Sequence, residues 1–432
     1  MQLLLYTPQV TPRLEYIGRF IFEEIMSLDL TIVSDKEIFN NHTAPKLSYG
    51  DDEATEDHLK LGSCRLLFET DIRQQQIDSF TVNGYKAFFK TPQQDFPFDI
   101  LAASFYLLSR YEEYLPHEKD MYGRYGHENS LAFKENFLQL PLINIWVSDL
   151  IAVLQNKFPA LSIQLPPFIF QPTYDIDMAY SYRYKGWLRN IGGFIKSPSI
   201  DRIKVLMGLT KDPFDAFDWL HQLHDEKQLQ PLYFFLVPAK NGIYDKNILP
   251  HKKAMQRLVK QHAGKYQIGL HPSWQSGDDS TLLGKEKQIL ESMCHQPVTL
   301  SRQHYIRFDL PHGYRRLVGQ GIADDHSMGY GSINGFRASV ASSFDWFDLL
   351  KNEATSLRIH PFSFMDANSF YEQNYTAAEA YDELIKYYNN CKCVSGKLIT
   401  IWHNNFLGTG TDFNGWRVMY QSFISKLTSE QK

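Results

Sequence analysis

From residue 168 onward, short apolar runs alternate with amphipathic segments, and that alternation limits the folds open to the chain. Phe168–Tyr174, Pro231–Val237, Tyr266–Leu270, Tyr305–Phe308, a short piece around Gly321-Ile322, Ser356–Ile359 and Lys397–Trp402 read as strands. Helical periodicity falls between several of them, at Phe214–Glu226, Lys252–His262 and Ala377–Asn389. Parallel strands need a crossover, so strand, helix and strand in series point to a parallel α/β sheet. Seven strands in about 265 residues suit a (β/α) barrel better than an open sheet. Chemistry in such barrels collects at the carboxyl ends of the strands.

The upstream part reads differently. Arg13–Met26 and Phe98–Leu115 each carry a helical apolar face, Lys46–Ala54 reads as a polar loop, and Tyr122–Gly126 as a glycine-bearing turn. Phe158–Pro167 holds three prolines just before an apolar strand, which predicts a junction between a smaller α/β module at 1–165 and a barrel at 166–432. With its own amphipathic helices, the upstream module is expected to fold by itself and to narrow the barrel's mouth. The opening apolar run, Met1–Pro8, is too short for the core of a signal peptide and reads as a buried strand. No run approaches the ~18 apolar residues of a membrane span, so a cytoplasmic location is expected.

Charge and composition narrow the partners. Lys+Arg 44 against Asp+Glu 49 gives −5, and no block of basic residues stands out, so neither nucleic acid nor an anionic membrane is expected as the main partner. Aromatic residues make up 14% of the chain, enough to line a carbohydrate groove with ring faces. The four cysteines are too scattered for a disulfide framework, and Cys391-Lys-Cys393 lacks the second pair of a structural zinc site.

Acidic or imidazole groups recur at six of the seven predicted strand ends. Asp175 and Asp177, two residues apart at a strand mouth, point the same way, as a shared cation or proton would require, or as a helix cap would use them. His271 follows the third strand, and Arg302 and His304 precede the fourth. Asp324, Asp325 and His326 follow the fifth, with Arg337 further on. His360 ends the sixth and Trp402-His403-Asn404-Asn405 the last. Imidazole is the commonest protein ligand for zinc, and 15 histidines in 432 residues do not readily gather at strand ends by chance.

In this order, residues 168–432 resemble the polysaccharide deacetylases of carbohydrate esterase family 4. The resemblance rests on Thr173-Tyr-Asp-Ile-Asp177, a histidine after the third strand, an arginine before the fourth and a late histidine. It implies a distorted (β/α) barrel that removes acetyl groups from acetylated sugars with a bound divalent metal. Residues 1–165 look like the uncharacterised amino-terminal module of a bacterial subgroup of these barrels. Asp175 would match the catalytic base, Asp177 and His271 two metal ligands, and Arg302 the residue that orients the base. The family's further histidine is here Gln275, and its proline after the arginine is His304, which could supply the missing imidazole. His403 and His360 compete for the role of general acid, and Trp274, Trp402, Asp325 and Arg337 are expected near the substrate. An Asp/His/His set suits zinc and also accepts cobalt, nickel or iron. Two further readings share the same residues: a glycan-binding barrel without catalysis, and an amidohydrolase acting on a small non-sugar amide.

Overall fold

The computed structural model describes residues 2–43, 45–50, 57–91, 94–186, 190–191, 195 and 199–429. The upstream module is built on a four-stranded parallel sheet. Its strands β1 (Gln2–Tyr6), β2 (Asp29–Val33), β3 (Lys46–Tyr49) and β4 (Leu59–Leu61) run in the order β2-β1-β3-β4. The first half of the expected Lys46–Ala54 loop is therefore a buried strand, while residues 51–54 lie outside the described residues. The expected helix at Arg13–Met26 begins as an α-helix, Pro12–Gly18, and continues as a π-helix, Arg19–Ile25. Thr11 starts it by accepting a hydrogen bond from the Leu14 N–H, with proline in the first turn, where its missing N–H costs nothing. A short hairpin, β5 (Phe80–Val82) and β6 (Tyr85–Ala87), turns through Asn83-Gly84, both with positive φ, as a tight hairpin requires. The Phe98–Leu115 helix is shorter than expected. It spans Ile100–Leu108 under an Asp99 cap, and Arg110 (φ 55°) breaks it before a 3-10 turn at Tyr111–Tyr114.

The larger sheet has nine strands: β7 (Ile169–Ile176), β8 (Leu232–Leu236), β9 (Gln267–His271), β10 (Leu300–Ser301), β11 (Asp324–Asp325), β12 (Phe344–Asp348), β13 (Glu353–Ile359), β14 (Phe364–Met365) and β15 (Lys397–His403). Their order is β12-β13-β11-β10-β9-β8-β7-β15-β14, and only the β12/β13 pair is antiparallel. β8, Leu-Tyr-Phe-Phe-Leu, is buried throughout, as expected of a parallel strand covered on both faces. The sheet must curl. β13 and β14 stand seven places apart, about 34 Å in a flat sheet at ~4.8 Å per strand. The five residue steps from Ile359 to Phe364 reach at most about 18 Å, so the two ends of the sheet approach each other as in a distorted barrel.

Two expected strands moved. Tyr305–Phe308 is not a strand: Tyr305 (φ 59°) and Ile306 (φ 54°) both take left-handed backbone, and pairing occurs earlier, at Leu300–Ser301. The Gly321-Ile322 piece pairs instead at Asp324–Asp325. No helix among the described residues is long and apolar enough to cross a membrane.

One apolar core runs from Leu3 through the upstream helices into the barrel, where it includes Phe347, Ile359 and Leu398. Polar links cross the same seam. Arg337 bonds Glu113 through two nitrogens (2.6 and 2.8 Å), Arg110 also reaches Glu113 (2.7 Å) and the Arg337 carbonyl, and the Tyr16 hydroxyl donates to the Asp345 carbonyl (2.7 Å). A continuous core and buried charges shared across the seam argue against the expectation that residues 1–165 fold alone, because separation would leave charges buried without partners or apolar surface in water.

Candidate metal centre

Three strand ends and one loop bring the site together. β7 delivers Asp175 and, one residue past its end, Asp177. β15 pairs alongside and sets His403 opposite Asp175, β9 ends on His271, and β10 is followed directly by Arg302, Gln303 and His304. His304 thus leaves the carboxyl end of its strand, whereas the sequence had placed it at a strand's start. The two left-handed residues that follow it, a costly arrangement for side chains other than glycine, turn the chain sharply away. Arg124, from the upstream module, holds that turn by donating to the Tyr305 carbonyl (2.7 Å).

Each imidazole is fixed by what its far nitrogen touches. His271 Nδ1 donates to the Arg302 carbonyl (2.6 Å), His304 Nδ1 to Asp245 (2.8 Å) and His403 Nδ1 to Asp366 (2.6 Å). A carbonyl or carboxylate can only accept, so all three Nδ1 atoms carry hydrogen and the Nε2 atoms face the site. They face Asp177: His271 Nε2 lies 3.0 Å from Oδ1, and His304 and His403 Nε2 lie 3.4 and 3.5 Å from Oδ2. Asp177 Oδ1 is buried and accepts no hydrogen bond. That oxygen and His271 Nε2, 3.0 Å apart, face one another across a gap that a cation or a proton can bridge.

Asp177, His271 and His304 offer ligand atoms within 4.8 Å of one another and could hold a divalent ion. Without the ion, protons do the balancing. Burial lowers the basicity of His304, but Asp177 and Asp245 outweigh it and raise the group to about 9. Asp177 is held well below the usual carboxylate range, with His304 and His271 overcoming its burial. Ligation uses neutral imidazole, so a proton on His304 and a bound cation are alternative answers to the same negative site.

Around this cluster stand groups suited to proton transfer. Arg302, fully buried, donates through Nη1 to Asp175 Oδ1 (2.8 Å) and to the Thr173 hydroxyl (2.7 Å), while Asp175 Oδ2 lies 3.9 Å from His271 Nε2. Burial opposes a charge on His403, yet Asp366, Asp177 and Asp175 raise it to about 10, so at neutral pH it holds a proton to give. Asp175, Asp177, His271, His304 and His403 all line one cleft of 460 Å³, together with Tyr122 and Arg124 of the upstream module.

Five other expected site residues do not line the cleft. Trp402 is buried and donates to the Thr400 hydroxyl, and Arg337 is spent on Glu113 in the seam. Asp325, also buried, accepts from Ser301 and Ser327. His360 bonds Asp324 (2.9 Å) and Ser343 (2.8 Å), so of the two candidates for general acid only His403 lines the cleft. Trp274 stacks between Tyr244 and the Arg307 guanidinium outside the cleft. Gln275 is exposed and contributes nothing. Asp245, Asp366, Tyr122 and Arg124 were missed. Asp245 lies nine residues beyond the end of β8, the one predicted strand whose end showed no acid or imidazole, and Asp366 follows β14, too short to read as a strand.

One protein-family profile, a family of unknown function (DUF7033), matches residues 3–159, less than half of the chain. No curated protein matches. Among solved structures, a chain from Mycobacterium smegmatis named as a polysaccharide deacetylase is 13% identical, over 61% of this chain and 85% of its own, with a TM-score of 0.41. PuuE allantoinase is 11% identical over 61% and 84%, with a TM-score of 0.38. A polysaccharide deacetylase from Bacillus cereus is 8% identical over 60% and 88%, with a TM-score of 0.29. These values are too low to carry chemistry from one chain to another, so the site must be argued from its own residues.

Proposed function

We propose that the chain is a metal-dependent hydrolase that removes acetyl groups from acetylated amino sugars of a glycan or its precursor. The observation that carries this reading is that Asp177, His271 and His304 offer ligand atoms within 4.8 Å of one another, with each imidazole oriented by a partner on its far nitrogen. Two nitrogens and one carboxylate suit zinc, with cobalt, nickel or iron as substitutes. Such an ion lowers the pKa of water and polarises an acyl carbonyl.

The chain's own residues do the rest. Asp175, aimed by Arg302 through Oδ1, takes the proton of the attacking water through its other oxygen, Oδ2. His403, kept protonated beside Asp366, gives a proton to the leaving amine. Tyr122 and Tyr305 at the cleft, rings 5.2 Å apart, offer apolar faces to a sugar.

Acetate release from a panel of N-acetylated oligosaccharides is the test. Exhaustive chelation should abolish it and zinc or cobalt restore it; release that survives chelation overturns the metal mechanism. Turnover confined to small amides would move the substrate class. A chain that binds both metal and oligosaccharide and releases no acetate would be a binding protein.

A further inference from the structure

The chain's net charge of −5 hides a local reversal. Between positions 183 and 209 there are six lysines and arginines and one acid, Asp201, so this stretch carries +5 and the rest of the chain −10. The same stretch is where apolar side chains reach solvent. Of the 19 large apolar residues found exposed among the described residues, eight fall between Tyr184 and Leu209. In the helix Ile200–Leu206, Val205 packs inward while Ile200, Ile203 and Leu206 face out, followed by Met207 and Leu209.

This stretch is anchored at the rim of the cleft. It leaves β7 directly after Asp177, through Met178, a cleft residue. Buried Asp212 ties its two ends together by accepting the N–H groups of Ser181, Tyr182 and Arg183 (2.7–3.0 Å). Two further rim loops end in apolar tips. Met121 (85% exposed) and Ile243 (81%) adjoin Tyr122 and Tyr244, whose rings meet at 6.1 Å; with Ile195 (76%) they are the three most exposed large apolar residues described.

Among the described residues of this stretch the aliphatic tips share the chain with Arg183, Lys185, Arg202 and Lys204 and one acid, Asp201, a combination that an anionic bilayer surface takes up, the tips entering the acyl boundary and the cations meeting headgroups. We propose that this rim docks the chain onto an anionic lipid surface. The negative remainder of the chain, repelled by that surface, turns the rim and its cleft toward it. The proposal does not depend on the hydrolytic reading, because docking is measured without turnover.

The test is sedimentation of the full chain with vesicles of phosphatidylcholine, alone or mixed with phosphatidylglycerol. The mixed vesicles should bind at least about 10-fold more tightly, and added salt should weaken that binding. Two variants address the two halves of the proposal: Ile195→Ser/Ile200→Ser/Leu209→Ser removes apolar tips, and Arg183→Glu/Lys204→Glu reverses charge. Each should lower binding to mixed vesicles at least about 10-fold while thermal unfolding stays unchanged. Equal binding to both vesicle types, or full binding by both variants, overturns the proposal. So does a vesicle-free dimer that the apolar variant dissolves, since the face would then belong to a second copy of the chain.

Discussion

The molecule buries charge in two places, and it treats them differently. At the seam, Glu112 and Glu113 meet Arg110 and Arg337, so two buried carboxylates are matched by two guanidiniums. In the cleft, Asp177 is met by the Nε2 atoms of three imidazoles, each held from behind through its Nδ1, and one of its oxygens accepts no hydrogen bond. A balanced buried set fixes structure; a set with surplus acceptors is built for something that arrives. The contrast separates residues that hold the fold from residues that hold a ligand, although both sets are buried Asp, Glu, Arg and His.

Disturbing each set separately sharpens that contrast. The largest effect is expected at the seam: Glu113→Ala leaves the buried Arg337 guanidinium without its carboxylate, with Glu112 alone against Arg110, and should cost about 3–5 kcal/mol in urea unfolding. Burial pushes Glu113 up, but Arg337 and Arg110 hold it at about 2, below its ordinary 4.5. Its contribution is therefore complete above pH 4.5 and lost as pH falls toward 2, a loss on the order of 3 kcal/mol that a Glu113→Gln chain should not show. Metal content should be unchanged in both variants, and metal loss at equal folding would break the division between seam and cleft. Next in size, Asp175→Asn should cut turnover at least about 100-fold with metal still bound. Loss of metal in that variant would make Asp175 a ligand. Smaller again, His304→Ala should weaken metal binding at least about 10-fold, whereas Gln275→Ala should leave it unchanged within about 2-fold. Titration of each purified variant with zinc reads both outcomes.

Much of the cleft was legible in the sequence because parallel strands deliver their last residues to one face. Asp175, Asp177, His271 and His403 could be read from strand ends alone, since each belongs to or directly follows a long apolar run. His304 could be placed only roughly, because β10 is two residues long and the apolar Tyr305–Phe308 run imitated a strand. Arg337 and Trp402 misled for the opposite reason. A charged or aromatic residue near a strand end looks available to a ligand, and only tertiary packing shows that Glu113 and the core had already taken them. Arg124 and Tyr122 could not be read at all, since they reach the cleft from a separate module about 180 residues away in sequence, with no periodicity to announce it.

The central claim is that Asp177, His271 and His304 together hold one divalent ion. Anomalous diffraction at the zinc edge, from crystals of the zinc-loaded full chain, tests it most directly. The account predicts a single strong peak at roughly 2.0–2.2 Å from an Asp177 oxygen and from Nε2 of both His271 and His304. A peak that leaves His304 beyond about 4 Å, or no peak at the cleft, would contradict it.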